Sequence, residues 1–174
     1  MSEEEKIRPK IEEVIPLRLN GGIKTNALSF CAYLRANKTS PVWTQPNTWV
    51  ANYKGKAICW IMLYGQFNIS LRLNHMSEYE ESIINESFQS VFWDNISYCV
   101  HDGINGQPEN HCNPNKKCAG GMNITILGKE FYGVCSGSHS LLVKNPDESV
   151  IRAIKELLEL EKQARDECKL ASRL

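Results

Sequence analysis

Residues 47–74 read NTWVANYKGKAICWIMLYGQFNISLRLN. Two apolar, aromatic-rich runs flank Lys54-Gly55-Lys56, which is the composition and spacing of a β-hairpin. The third run alternates, with Phe67, Ile69, Leu71 and Leu73 on one face and Asn68, Ser70 and Arg72 on the other, as a half-buried strand requires. The same parity in the second run puts Ile58, Trp60, Met62 and Tyr64 on one face and Ala57, Cys59, Ile61 and Leu63 on the other. The aliphatic face suits packing against helices. The aromatic face suits either a second side of the core or a small-molecule pocket, because Trp and Tyr join a large apolar body to a polar handle.

On the N-terminal side, residues 1–12 are charged and read as a flexible lead-in. EVIPLRLNGG follows as a short extended run carrying Val14, Ile15, Leu17 and Leu19, with Pro16 pointing to an edge strand. KTNALSFCAYLRANK is a short helix, with Leu28, Cys31 and Leu34 in register and Thr25 or Asn26 as N-cap. On the C-terminal side, Ser77-Glu78-Tyr79-Glu80 opens a second helix with Tyr79, Ile83, Ile84, Phe88, Val91 and Phe92 as its apolar stripe. MNITIL, EFYGVC and HSLLVK read as three short strands, the first two joined by a Gly128-Lys129 turn. Asn145-Pro146-Asp147 then caps a long helix bearing Val150, Ile151, Ile154, Leu157, Leu158 and Ala164.

The element order is strand-helix-strand-strand, the same again, then strand-helix. It predicts an α+β fold: an antiparallel sheet built from two such units, helices on one face and a long C-terminal helix. One domain over 13–174 follows, with a loop insertion at 98–121. Whether the repetition is a duplication or a chance alternation is left open. Over residues 13–144 this order resembles the GyrI-like ligand-binding domains. The segments NKTSPVWTQPNTWVANYKGKAICWI, ILGKEFYGVC and KNPDESVIRAIKELLELEK, within residues 24–165, resemble an uncharacterised family of small bacterial cytoplasmic proteins, in which a W…YKGK hairpin accompanies a C…GKEF…C…NPD half. The GyrI-like resemblance implies a ligand cleft on the aromatic face, with Trp49, Trp60, Tyr64 and Trp93 as lining and Glu130 as a buried carboxylate. A solvated strand position is the alternative for Glu130.

The loop CVHDGINGQPENHCNPNKKCAGG, Cys99 to Gly121, holds three cysteines and two histidines. Zinc needs four thiolates or imidazoles that converge. Cys99, Cys112, Cys118 and Cys135 are the candidate ligands, with His101 and His111 as substitutes. The Cys112-x5-Cys118 spacing is wider than the usual zinc knuckle. The alternatives are a buried Cys135 beside solvated loop thiols, or a redox pair, Cys112–Cys118 or Cys118–Cys135, with Lys116 and Lys117 lowering the thiol pKa. Cys135 and His139 also form a weak cysteine-hydrolase pattern without a nucleophile elbow. Cys31, Cys59 and Cys168 fall on helix and strand patterns and read as packing.

Lys plus Arg and Asp plus Glu are both 20, so the net charge is zero, and no basic stripe exists to neutralise a run of phosphates. Nucleic acid is excluded as a direct partner on this ground. The acidic start MSEEEKIRPK lacks the pattern of a signal peptide, and no run approaches the roughly 18 apolar residues of a membrane span. Seven cysteines, an odd number, do not make a secreted disulfide framework. The expectation is a cytoplasmic small-molecule-binding module, binding rather than enzymatic, with no membrane partner. Zinc-binding or redox sensing at the Cys99–Cys135 cluster is the alternative and a cysteine hydrolase the third. Zinc or no cofactor, and a monomer or a homo-oligomer, both remain open.

Overall fold

The computed structural model describes residues 8–80, 86–98, 121–135 and 141–171. The fold is α+β, with an antiparallel five-stranded sheet in the order β1-β2-β3-β4-β7 and a separate two-stranded sheet, β5-β6. The strands are β1 (Pro41–Gln45), β2 (Thr48–Tyr53), β3 (Lys56–Leu63), β4 (Phe67–Leu71), β5 (Gly121–Ile126), β6 (Lys129–Cys135) and β7 (Leu141–Lys144). The helices are α1 (Ile11–Arg18), α2 (Gly21–Ala36), α3 (Met76–Tyr79), α4 (Glu86–Trp93) and the long C-terminal α5 (Glu148–Ala171). Among the described residues no helix is long and apolar enough to cross a membrane. The chain divides into two compact units, residues 1–69 with 144–151, and residues 70–143 with 152–174.

In the first unit, the segment expected to be an extended run is instead helix α1. Ile11, Ile15 and Leu19 are buried while Leu17 is 82% exposed. Their four-residue spacing is helical, and assigning residues 1–12 to a lead-in hid its first member. The Glu13 carboxylate accepts the Lys10 N–H at the helix start. Helix α2 begins earlier than Thr25, with Asn20 as N-cap, and buries Ala27, Phe30, Cys31 and Leu34 along one stripe. Glu12 and Arg35 join the two helices through a bidentate pair, Nε to Oε1 at 2.5 Å and Nη2 to Oε2 at 2.7 Å.

Strand β1 was not expected, because Pro41 and Pro46 bracket it. An edge strand tolerates proline, and β1 is the edge. The β2-β3 hairpin closes on Lys54-Gly55, both at positive φ (48° and 80°), as a type I′ turn demands. Trp49 pairs with Ile61 and Ala51 with Cys59, but Asn52 pairs with Ala57, leaving Ile58 as the extra residue of a β-bulge. The bulge breaks strict alternation. Ile58 is therefore buried together with Cys59, rather than sharing a face with half-exposed Trp60 and Met62.

In the second unit, α4 buries Val91 and Phe92, and the Asn95 side chain closes its end on the Val91 carbonyl at 2.9 Å. The β5-β6 hairpin repeats the type I′ solution at Leu127-Gly128, with φ of 50° and 76°, one residue before the expected Gly128-Lys129 turn, so that Lys129 opens β6. Leucine is a costly occupant of the left-handed region, and its N–H is held by the Glu80 carboxylate. This hairpin forms its own sheet instead of joining β2-β3 side by side. Bridges at Ile96–Leu141 and Tyr98–Val134 tie the segment after α4 to β7 and β6. Ile154, Leu157, Leu158 and Ala164 of α5 are buried, as their periodicity predicts.

Candidate functional site

Glu161, Arg165 and Cys168 lie at i, i+4 and i+7 on α5 and so share one face of that helix. Glu161 has no solvent exposure. A carboxylate survives such burial only with strong donors around it. Four converge here: the N–H of Asn74 at 3.1 Å, the N–H of His75 at 3.2 Å, the Tyr79 hydroxyl at 3.0 Å and Arg165 Nε at 2.8 Å. Arg165 also donates from Nη2 to the Arg72 carbonyl at 3.0 Å. Burial, then the Glu161 charge, push the Tyr79 phenol above its ordinary pKa, so it stays a proton donor. One carboxylate thus pins the backbone at 74–75 and the short helix α3 to α5.

That pinning sets the next group. His75 is the N-cap of α3 and Glu78 follows one turn later. His75 Nδ1 lies 3.0 Å from Glu78 Oε1, Cys168 Sγ donates to the same oxygen at 3.2 Å, and Sγ lies 3.6 Å from Nδ1. His75, then Cys168, bond to Glu78 and lower its pKa, while the bond to Glu78, then burial, raise the Cys168 thiol. Nucleophilic catalysis needs a thiolate next to a base. Here the thiol meets a carboxylate, which shifts its pKa in the opposite direction. The three ligand atoms all lie within 4.8 Å of one another, a spacing that a single cation can span.

Other residues of the same segment border a cavity of about 380 Å³ in the second unit. Leu71, Phe92, Ile126 and Leu141 supply apolar wall, and Asn74, Ser77 and Thr125 supply the polar side chains. Residues 74–78 therefore serve two surroundings: Asn74, Met76 and Ser77 face the cavity, while His75 and Glu78 meet Cys168.

The residues picked from sequence fall in different places. Trp49 is buried in the first unit, its indole N–H on the Pro9 carbonyl at 3.0 Å. Trp60 is half-buried there, and Tyr64 is 53% exposed, its hydroxyl sharing a bond with Thr48 Oγ1 at 2.8 Å and donating to the Pro46 carbonyl at 3.1 Å. Trp93 belongs to the second unit, with its indole N–H on the Ile126 carbonyl at 3.0 Å and Lys129 Nζ 5.0 Å from the ring centre. Glu130 is exposed, not buried, and accepts the Tyr132 hydroxyl. Cys99, Cys112, Cys118, His101, His111 and His139 lie outside the described residues, as does the side chain of Cys135.

Cys31 and Cys59 are buried as expected, and burial pushes the Cys31 thiol up to about 12 and the Cys59 thiol higher still. Cys168, read from sequence as packing, is exposed and belongs to the His75–Glu78 group. The only local hint of that group was His75-x-x-Glu78, a spacing that places two ligands one helical turn apart. Comparison with family models, with curated proteins and with solved structures gives no match for this chain.

Proposed function

We propose that this protein is a small-molecule-binding module whose ligand occupies the cavity lined by Leu71, Phe92, Ile126 and Leu141. The single observation that carries the reading is the cavity itself, about 380 Å³ with a largely apolar wall and a few polar side chains. Ligand pockets have this size and this chemistry. No ionisable side chain among the described residues lines it, which favours an uncharged apolar or amphipathic ligand oriented by Asn74, Ser77 and Thr125. The same lining favours binding over turnover. Asn74 and Ser77 sit on a segment held by the buried Glu161, so this part of the wall is preorganised. The reading keeps the GyrI-like expectation of ligand binding and a cytoplasmic location. It moves the ligand away from Trp60 and Tyr64, because Trp49 is committed to the core and the Tyr64 hydroxyl to Thr48 and Pro46.

The test is titration with the uncharged fluorophore N-phenyl-1-naphthylamine. Wild type should show saturable enhancement at one site, and Ser77→Phe, which fills the cavity, should weaken it by about tenfold or more, equivalent to about 1.4 kcal/mol. Equal affinity and stoichiometry in a cooperatively folded Ser77→Phe protein would put the ligand elsewhere.

A further inference from the structure

We propose that His75 Nδ1, Glu78 Oε1 and Cys168 Sγ form a binding site for a zinc-class divalent cation, three protein ligands with a fourth position open to water. None of its three ligands belongs to the Cys99–Cys135 loop or lines the cavity.

The first ground is geometric. With Zn–N and Zn–O bonds of about 2.0–2.1 Å and a Zn–S bond of about 2.3 Å, tetrahedral angles place N and O about 3.3 Å apart and S about 3.6 Å from each. The separations here are 3.0 Å from Nδ1 to Oε1, 3.6 Å from Sγ to Nδ1 and 3.2 Å from Sγ to Oε1. Each is within about 0.4 Å of the zinc value. The donor spacing is thus close to that of a tetrahedral zinc site.

The second ground is the ligand set. Thiolate and imidazole together select a borderline-soft cation such as Zn²⁺ over Mg²⁺ or Ca²⁺, which take oxygen ligands. One thiolate and one carboxylate bring two negative charges and a neutral imidazole brings none, so a divalent ion gives a neutral centre. On binding, the Cys168 S–H bond breaks, its electron pair forms the S–metal bond and the proton leaves to solvent. Nδ1 likewise binds through its lone pair, with the imidazole proton on Nε2. The Glu78 oxygen exchanges the thiol and imidazole it now meets for the cation. Proton release should accompany binding.

The third ground is the support. Glu161 accepts the N–H of His75 itself, and it lies on the same face of α5 as Cys168, two turns earlier. It also holds the Tyr79 hydroxyl, which follows Glu78 directly in α3. A single buried carboxylate thus orders both sides of the site through residues that are not themselves ligands. Such outer supports set the affinity of metal centres.

The experiment uses the full-length reduced protein, apo after chelation, titrated with Co²⁺ and followed by absorption, then competed with Zn²⁺. A site containing Cys168 gives a thiolate-to-cobalt charge-transfer band and tetrahedral d–d bands that saturate at one equivalent and are displaced by Zn²⁺. Cys168→Ser, at an exposed position where folding is not at stake, should lose the charge-transfer band and bind about tenfold or more weakly. His75→Ala should bind more weakly while keeping a thiolate band. The double variant Cys112→Ser/Cys118→Ser should retain the full signal. Wild type that takes up no Co²⁺ overturns the proposal, as does an unchanged band in Cys168→Ser. Loss of the signal in Cys112→Ser/Cys118→Ser would overturn it in favour of the loop.

Discussion

The described buried polar side chains of the first unit include Thr39 and Thr48, and Thr39 donates to the Leu34 carbonyl at 2.9 Å; around them stand Phe30, Trp49, Phe67 and a run of aliphatic residues. In the second unit Glu161, Lys162 and Arg165 are all buried. The first unit is held by apolar area. The second spends part of its interior on a charged network and leaves a cavity beside it. Apolar packing of similar volume is often at least as stable as a buried ion pair, so the network is better understood through the geometry it imposes on residues 72–79. Both the cavity wall and the His75–Glu78–Cys168 group depend on that segment.

The largest effect should come from Glu161→Ala, which removes the shared acceptor of the Asn74 and His75 N–H groups, the Tyr79 hydroxyl and Arg165 Nε. Loss of about 3–5 kcal/mol in urea unfolding is expected, together with loss of cavity binding. A change below about 1 kcal/mol would show that the network is solvated and that the contrast between the units is false. A smaller effect is expected at the start of α5, where Asp147 Oδ1 accepts the Val150 N–H at 2.9 Å and the Ser149 hydroxyl at 2.7 Å. These bonds hold the Asp147 carboxyl below its usual pKa. A lowered folded value stabilises above the unfolded pKa, about 3.9, and the contribution fades as pH falls through the folded value. Asp147→Ala should therefore cost about 1 kcal/mol at pH 7 and progressively less below about pH 4, as thermal unfolding across pH would show. The smallest effect is the exposed Glu12–Arg35 pair of the first unit. Arg35→Ala should cost less than about 1 kcal/mol and the cost should shrink in high salt. A larger, salt-insensitive loss would mean that charge matters as much there as around Glu161.

Both hairpins and α5 were legible in the sequence because their signals are local: a turn pair with glycine, alternation over a few residues, and a long helical period. Helix α1 was misread because its stripe begins at Ile11, inside a stretch that looked unstructured, and because Pro16 argued for an edge strand. Strand β1 was hidden by its flanking prolines. The bulge at Ile58 could not be seen, since alternation counts residues and a bulge adds one. The His75–Glu78–Cys168 group was missed for a different reason. Cys168 meets His75 across 93 positions, and nothing in the letters around either residue announces the other. Glu161 carried no sequence mark either, because on a helix laced with Lys, Arg and Glu a buried carboxylate looks like its solvated neighbours.

The sequence separation of the Glu161 contacts also has a kinetic meaning. Lys54-Gly55 and Leu127-Gly128 each close a hairpin over two residues, an event of about 1–10 μs. The bond from Asn74 to Glu161 joins residues 87 apart, and closing so long a loop costs more entropy than closing a two-residue turn. A contact of this separation is therefore expected to form after the local turns. The two surroundings of residues 74–78 are thus the non-local part of the fold, and mutations at Glu161 are expected to act on them more than on either turn.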